Sequence, residues 1–140
     1  MKIHALSDLH FELFPPSVER DIAPIDDADL VIIAGDHHRA PHAVRHAREI
    51  FPNGSLVMIA GNHEHHSTRV TIAEGLDRMR SGAVMDCERH RRPTYVLENE
   101  TVELEVADQA VRIIGCTPWT DFRTFQKSGS ERHVRQRQHE

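Results

Sequence analysis

The sequence predicts an α/β fold in which βαβ units are followed by antiparallel strands. Three observations predict it. Short apolar runs at Lys2 to Leu6, Leu30 to Ala34 and Ser55 to Ile59 have the length and continuity of buried strands. A stretch of helical periodicity separates the second run from the third. Beyond Pro93 the apolar period changes from helical to two.

The elements follow in order. Lys2 to Leu6 does not alternate cleanly, as expected of a strand covered on both faces. Ser7 to Pro16 reads as a loop, since Pro15-Pro16 excludes helix. Ser17 to Asp29 is acidic and irregular, and Leu30 to Ala34 is the second buried strand. Pro41 to Phe51 is a helix with Pro41 at a first helical position and Val44, Ala47, Ile50 and Phe51 on one face. Its residues His42, Arg45, His46, Arg48 and Glu49 are expected mostly to face water. Pro52-Asn53-Gly54 ends the helix, and strand three completes a right-handed βαβ unit.

Thr68 to Arg80 reads as a second helix, with Ile72, Ala73, Leu76 and Met79 as its buried stripe and Gly82 as its C-terminal cap. Thr71-Ile72-Ala73-Glu74 fits a capping box, which would start the helix slightly later. Cys87 to Pro93 is a polar, basic link. Tyr95 to Leu97 is a strand, Val102, Leu104 and Val106 alternate with polar residues as in a half-exposed antiparallel strand, and Ala110 to Cys116 is a further β run. Asn99-Glu100 and Asp108-Gln109 supply turns. Residues 1–125 are expected to form one domain, and the polar stretch 126–140, with Val134 as its one aliphatic residue, a mobile tail.

Composition bounds the function. The chain has 140 residues, 39% hydrophobic and 28% charged, enough for one globular core. A net charge of −5 argues against broad nucleic-acid or anionic-membrane binding, so nucleic acid is expected only as a substrate. The N-terminus meets Asp8 too early for a signal peptide, and no run approaches the ~20 apolar residues of a membrane span, so no membrane is expected and a cytoplasmic location is. Cys87 and Cys116 form no CxxC pattern and read as reduced thiols. The 12 histidines make metal binding plausible.

All three buried strands end in residues that coordinate metals or move protons. They are Ser7-Asp8-Leu9-His10, Gly35-Asp36 and Gly61-Asn62-His63-Glu64. Ligands of open α/β sheets bind outside the carboxyl ends of the strands. Three adjacent strand ends would therefore bring Asp8, His10, Asp36, Asn62 and His63 into one crevice. A carboxylate that bridges two cations, with terminal oxygen and nitrogen ligands beside it, is what a dinuclear site requires.

Asp8-x-His10, Gly35-Asp36 and Gly61-Asn62-His63-Glu64, in that order and each after a strand, resemble the calcineurin-like metallophosphoesterase superfamily. The resemblance extends through Val96 to Val102 and Val111 to Phe122, where Gly115-Cys116-Thr117-Pro118-Trp119-Thr120-Asp121-Phe122 looks like its bacterial branch. It implies a partial β-sandwich of the metallophosphoesterase type flanked by helices. It implies hydrolysis of phosphomonoesters or phosphodiesters through a metal-bound hydroxide, with a phosphoester as the partner molecule. It implies Asp8 and His10 on one metal, Asn62 on the other, Asp36 bridging, His63 as the catalytic histidine and Glu64 orienting His63 by a hydrogen bond. Two divalent ions are expected for the family, drawn from Mn, Fe or Zn. The family's later ligands, a histidine after a further strand and a Gly-His-x-His type segment, have no match here, and His133 and His139 sit in the polar tail. The chain is therefore expected to be the N-terminal portion of the fold, to hold one metal or bind metal weakly, and to expose apolar surface that favours homo-oligomers. The alternative function is a non-catalytic metal-binding or interaction remnant.

The remaining histidines have plainer readings. His37, His38, His65 and His66 read as solvated loop residues, with His66 or His38 the first substitutes as ligand. His42 and His46 are spaced for zinc on a helix but have no third ligand nearby in sequence, so a solvated face is expected. His4 reads as a core or edge residue, the run Arg89 to Arg92 as a solvated linker, and Trp119 as packing over the site mouth or filling a core gap.

Overall fold

A computed structural model describes residues 1–14, 27–66, 70–90 and 92–119. The expected tail 126–140, Pro15-Pro16 and most of the irregular 17–29 stretch lie outside these residues. The elements are β1 (Ile3–Leu6), β2 (Leu30–Ala34), α1 (Ala40–Ile50), β3 (Ser55–Ile59), α2 (Ile72–His90), β4 (Thr94–Leu97), β5 (Glu100–Val106) and β6 (Gln109–Gly115).

Strands β1 to β4 form a parallel sheet in sequence order, and β5 and β6 form an antiparallel pair. β2, β3 and β4 each show one side to the helices and the other to the hairpin. Val31, Ile33, Leu56, Met58 and Val96 pack with Ala43, Val44, Ala47 and Phe51 of the α1 region and with Met79 and Ala83 of α2. Leu30, Val57 and Leu97 pack with Leu104 and Val106 of the hairpin. The central strands therefore read as continuous apolar runs because both faces are covered. β1 differs from expectation. Among the described residues it pairs with β2 alone, so Ile3 and Ala5 stay exposed.

The α/β class and the βαβ-then-antiparallel order hold, and besides β1 two local readings change, the first taking Cys87 to His90 out of the expected polar link and into a helix. α2 runs well past Gly82, to His90, because its buried stripe is Gly75, Met79, Ala83 and Asp86 rather than Ile72 and Ala73, which are exposed. Gly82 lies mid-helix facing Val44 of α1, where a Cβ would sit at an ordinary contact distance of 3.5 Å from the Val44 side chain, and it does not end the helix. The capping box is present. Thr71 Oγ1 accepts the Glu74 N–H at 3.2 Å and Glu74 Oε2 accepts the Thr71 N–H at 2.8 Å.

Arg48 is the second change. It is 8% exposed, and its guanidinium meets Asp86 Oδ2 at 2.9 Å, Thr94 Oγ1 at 2.7 Å, Gly54 O at 3.0 Å and Pro93 O at 2.9 Å. Thr94 Oγ1 donates to the same Asp86 oxygen at 2.6 Å. One arginine thus fastens α1, the end of α2 and the start of β4. A buried charge needs this degree of pairing.

Candidate metal centre

The site grows from the loops that follow β1, β2 and β3. The first two loops run side by side. Asp8 N–H donates to Gly35 O at 3.1 Å, His10 N–H to Asp36 O at 2.8 Å and Phe11 N–H to His37 O at 3.0 Å. Asp8, His10 and Asp36 all have left-handed backbone, with φ of 55°, 49° and 54°. Asp tolerates that region better than most residues because its short side chain can bond locally. Such conformations persist where surrounding structure over-determines them, and they cluster at functional sites.

Glu64 locks the loops after β2 and β3 together. It is 2% exposed. Its Oε2 accepts the N–H groups of Gly61 at 2.7 Å and Asp36 at 2.9 Å, and its Oε1 accepts those of His37 at 2.7 Å and His38 at 3.3 Å. Asp36 Oδ1 in turn accepts the His63 N–H at 2.8 Å. The glycines of both motifs permit this approach. A Cβ on Gly61 would meet Asp36 Oδ1 at 2.2 Å, and one on Gly35, whose φ is 88°, would meet the Gly61 Cα at 3.0 Å.

Asp8, His10 and Asp36 come together, with one ligand atom of each within 4.8 Å of the others. His63 lies beside them, its ring 4.3 Å from that of His10 and perpendicular in sense. Asn62 is exposed and approaches His66 Nε2 at 3.5 Å through Nδ2. The hydrogen bond expected from Glu64 to His63 is not made, because both Glu64 oxygens are taken by backbone N–H groups. Glu12 takes that place, with Oε1 2.5 Å from His63 Nδ1.

Glu12 is the residue that sequence reasoning missed. The signal was present, since Asp8, His10 and Glu12 continue a spacing of two. The Glu12 side chain is 4% exposed. Burial pushes its carboxyl up, and the hydrogen bond to His63 with the nearby His63 and His10 charges outweighs that and holds it below the usual carboxylate range.

The flanking histidines also depart from expectation. His37 is fully buried, edge-on to Phe11, with Nε2 3.1 Å from His46 Nδ1. Burial, then the neighbouring His46 and His38, pushes it down to about 3. His38 and His65 are half-buried and lowered chiefly by burial. His46 is half-buried rather than solvated, and the ring of His38 lies 5.7 Å from His42 and 5.0 Å from His46, a neighbour that sequence spacing could not supply. His66 is exposed, as expected. His4 is half-buried and edge-on to Phe51. Trp119 is 52% exposed, 6.0 Å from the His65 ring, so it fills no core gap. Thr117, just before it, ties the segment after β6 to the end of β3 by donating to Ala60 O at 2.5 Å.

No helix among the described residues is long and apolar enough to cross a membrane. The sequence model of the calcineurin-like phosphoesterase superfamily domain matches residues 1–131. No curated protein and no solved structure matches the chain.

Proposed function

The chain belongs to the calcineurin-like phosphoesterase superfamily, and from that premise we propose that it hydrolyses phosphoester bonds with divalent metal held by Asp8, His10 and Asp36. The observation that carries this reading is the gathering of those three donors at the carboxyl ends of β1 and β2. Two carboxylates and an imidazole suit hard or borderline cations such as Mn²⁺, Fe²⁺ or Zn²⁺. Their left-handed backbone is held by the hydrogen bonds between the two loops, so the donors are placed before any cation arrives.

Divalent metal, when bound, supplies Lewis acidity toward phosphoryl oxygens and lowers the pKa of a coordinated water. The chain's own residues supply the rest. Asp36 holds the His63 backbone through Oδ1. Glu12 accepts the Nδ1–H of His63, which fixes the ring and leaves Nε2 to carry a proton to the leaving oxygen. Asn62, next in the chain to His63, is the donor offered to a second cation. Glu64 acts through the backbone of both loops and touches no reacting atom.

The test is Mn²⁺-dependent hydrolysis of bis-p-nitrophenyl phosphate and p-nitrophenyl phosphate beside an Asp36→Asn control. Hydrolysis that disappears in the control supports the reading. Metal binding with no hydrolysis of either substrate overturns it in favour of a non-catalytic metal-binding module.

A further inference from the structure

We infer that His10 Nδ1, the Glu12 carboxylate and His63 Nδ1 form a separate cation pocket for a borderline divalent ion such as Zn²⁺, Co²⁺ or Fe²⁺. One ligand atom from each of these residues lies within 4.8 Å of the others. The pocket has the two-imidazole, one-carboxylate composition that such ions favour.

Two orphaned atoms mark it. His10 Nδ1 and Glu12 Oε2 are both buried without a hydrogen-bond partner, although the Glu12 side chain is only 4% exposed. An unpaired buried carboxylate oxygen is costly. A single cation beside these side chains would satisfy both atoms at once. His63 Nδ1, now 2.5 Å from Glu12 Oε1, would exchange that hydrogen bond for a coordinate bond, the ring's proton moving to Nε2.

His10 links this pocket to the strand-end group. Its Nε2 lies 4.0 Å from Asp8 Oδ1, and its Nδ1 lies 3.7 Å from Glu12 Oε1. A neutral imidazole has one lone pair for a metal, because its other nitrogen carries the proton. Filling one pocket therefore withdraws His10 from the other. A cation held here therefore competes for His10 with the metal group of the hydrolysis proposed above and inhibits it. The inference goes beyond that reading and stands on metal binding alone.

The test is Co²⁺ and Zn²⁺ titration of the chelator-stripped chain, wild type beside Glu12→Gln and Asp8→Asn, followed by visible absorption and equilibrium dialysis. The expected result is that Asp8→Asn retains a Co²⁺ absorption band, whereas Glu12→Gln weakens the affinity behind that band tenfold or more. A Glu12→Gln titration that matches wild type overturns the inference. So does a band that vanishes in Asp8→Asn and persists in Glu12→Gln. Should Glu12→Gln lose its far-ultraviolet dichroism, the ¹⁵N shifts of the His63 ring in wild type decide. Movement of Nδ1 on adding Zn²⁺ supports the pocket, and an unmoved Nδ1 overturns it. The hydrolysis reading fails on a different measurement, the Asp36→Asn comparison, so the two outcomes are separable.

Discussion

A methyl group on Gly61 would come within 2.2 Å of Asp36 Oδ1 and 2.6 Å of the Asp36 backbone nitrogen. The bare Cα of one motif is therefore the floor on which the carboxylate of the other rests. Gly61→Ala is expected to displace Asp36 and to cost about 1–3 kcal/mol of stability, as overpacking does. Urea unfolding and Mn²⁺ affinity should both fall. An unchanged Mn²⁺ affinity would show that Asp36 is not a ligand.

Glu64 faces four backbone donors, two at each oxygen. Glu64→Gln would set an amide NH₂ against two N–H groups and leave them unpaired. Each unpaired buried donor costs about 1–3 kcal/mol. The expected outcome is that Glu64→Gln destabilises nearly as much as Glu64→Ala in chemical denaturation. A near-neutral Gln variant would mean that the loops hold without this carboxylate.

Arg48 and Asp86 form a buried pair at 2.9 Å, with side chains 6% and 9% exposed. Arg48→Met alone takes the Arg48 guanidinium away from the buried Asp86 carboxylate and is expected to cost about 3–5 kcal/mol. Adding Asp86→Leu should recover much of that loss. A double-mutant cycle read by thermal unfolding checks it, and strictly additive losses would refute the coupling.

His37 sets a pH dependence. Its folded pKa is depressed to about 3 from 6.5, so between those values the unfolded chain binds more protons than the folded one. Stability is fully present above about pH 6.5 and falls as the pH drops toward 3. In metal-free chain the loss attributable to His37 between pH 7 and pH 5 is about 2 kcal/mol. His37→Phe should flatten the slope of stability against pH over that interval. Parallel slopes for the two chains would place the titration elsewhere.

Much of the architecture was legible in the sequence. Apolar runs covered on both faces announce themselves by continuity, and so Leu30–Ala34 and Ser55–Ile59 were readable to the residue. The capping box at Thr71 and Glu74 was equally plain, because it is a contact between near neighbours. Its stop was not. A glycine is compatible with a helix end or a helix interior, and the packing of Met79, Ala83 and Asp86 on either side of Gly82 carries the helix through it. Arg48 looked like a solvent residue because its partners, Asp86 and Thr94, are 38 and 46 positions away.

The same distinction runs through the site. The sequence by itself determined that three strands end in Asp8-x-His10, Gly35-Asp36 and Gly61-Asn62-His63-Glu64, since strand ends and their residues are local properties. Parallel pairing in chain order, β1 to β2 to β3, then makes their convergence unavoidable. Only the tertiary structure decided which carboxylate serves which partner. Glu64 sits beside His63 in the chain, yet its oxygens turn to the backbone of the β2 loop, and Glu12 reaches His63 across 51 residues. The physical reason is burial. A carboxylate enclosed at a loop crossing bonds the nearest unsatisfied N–H groups, and which groups are nearest is a property of the folded chain alone.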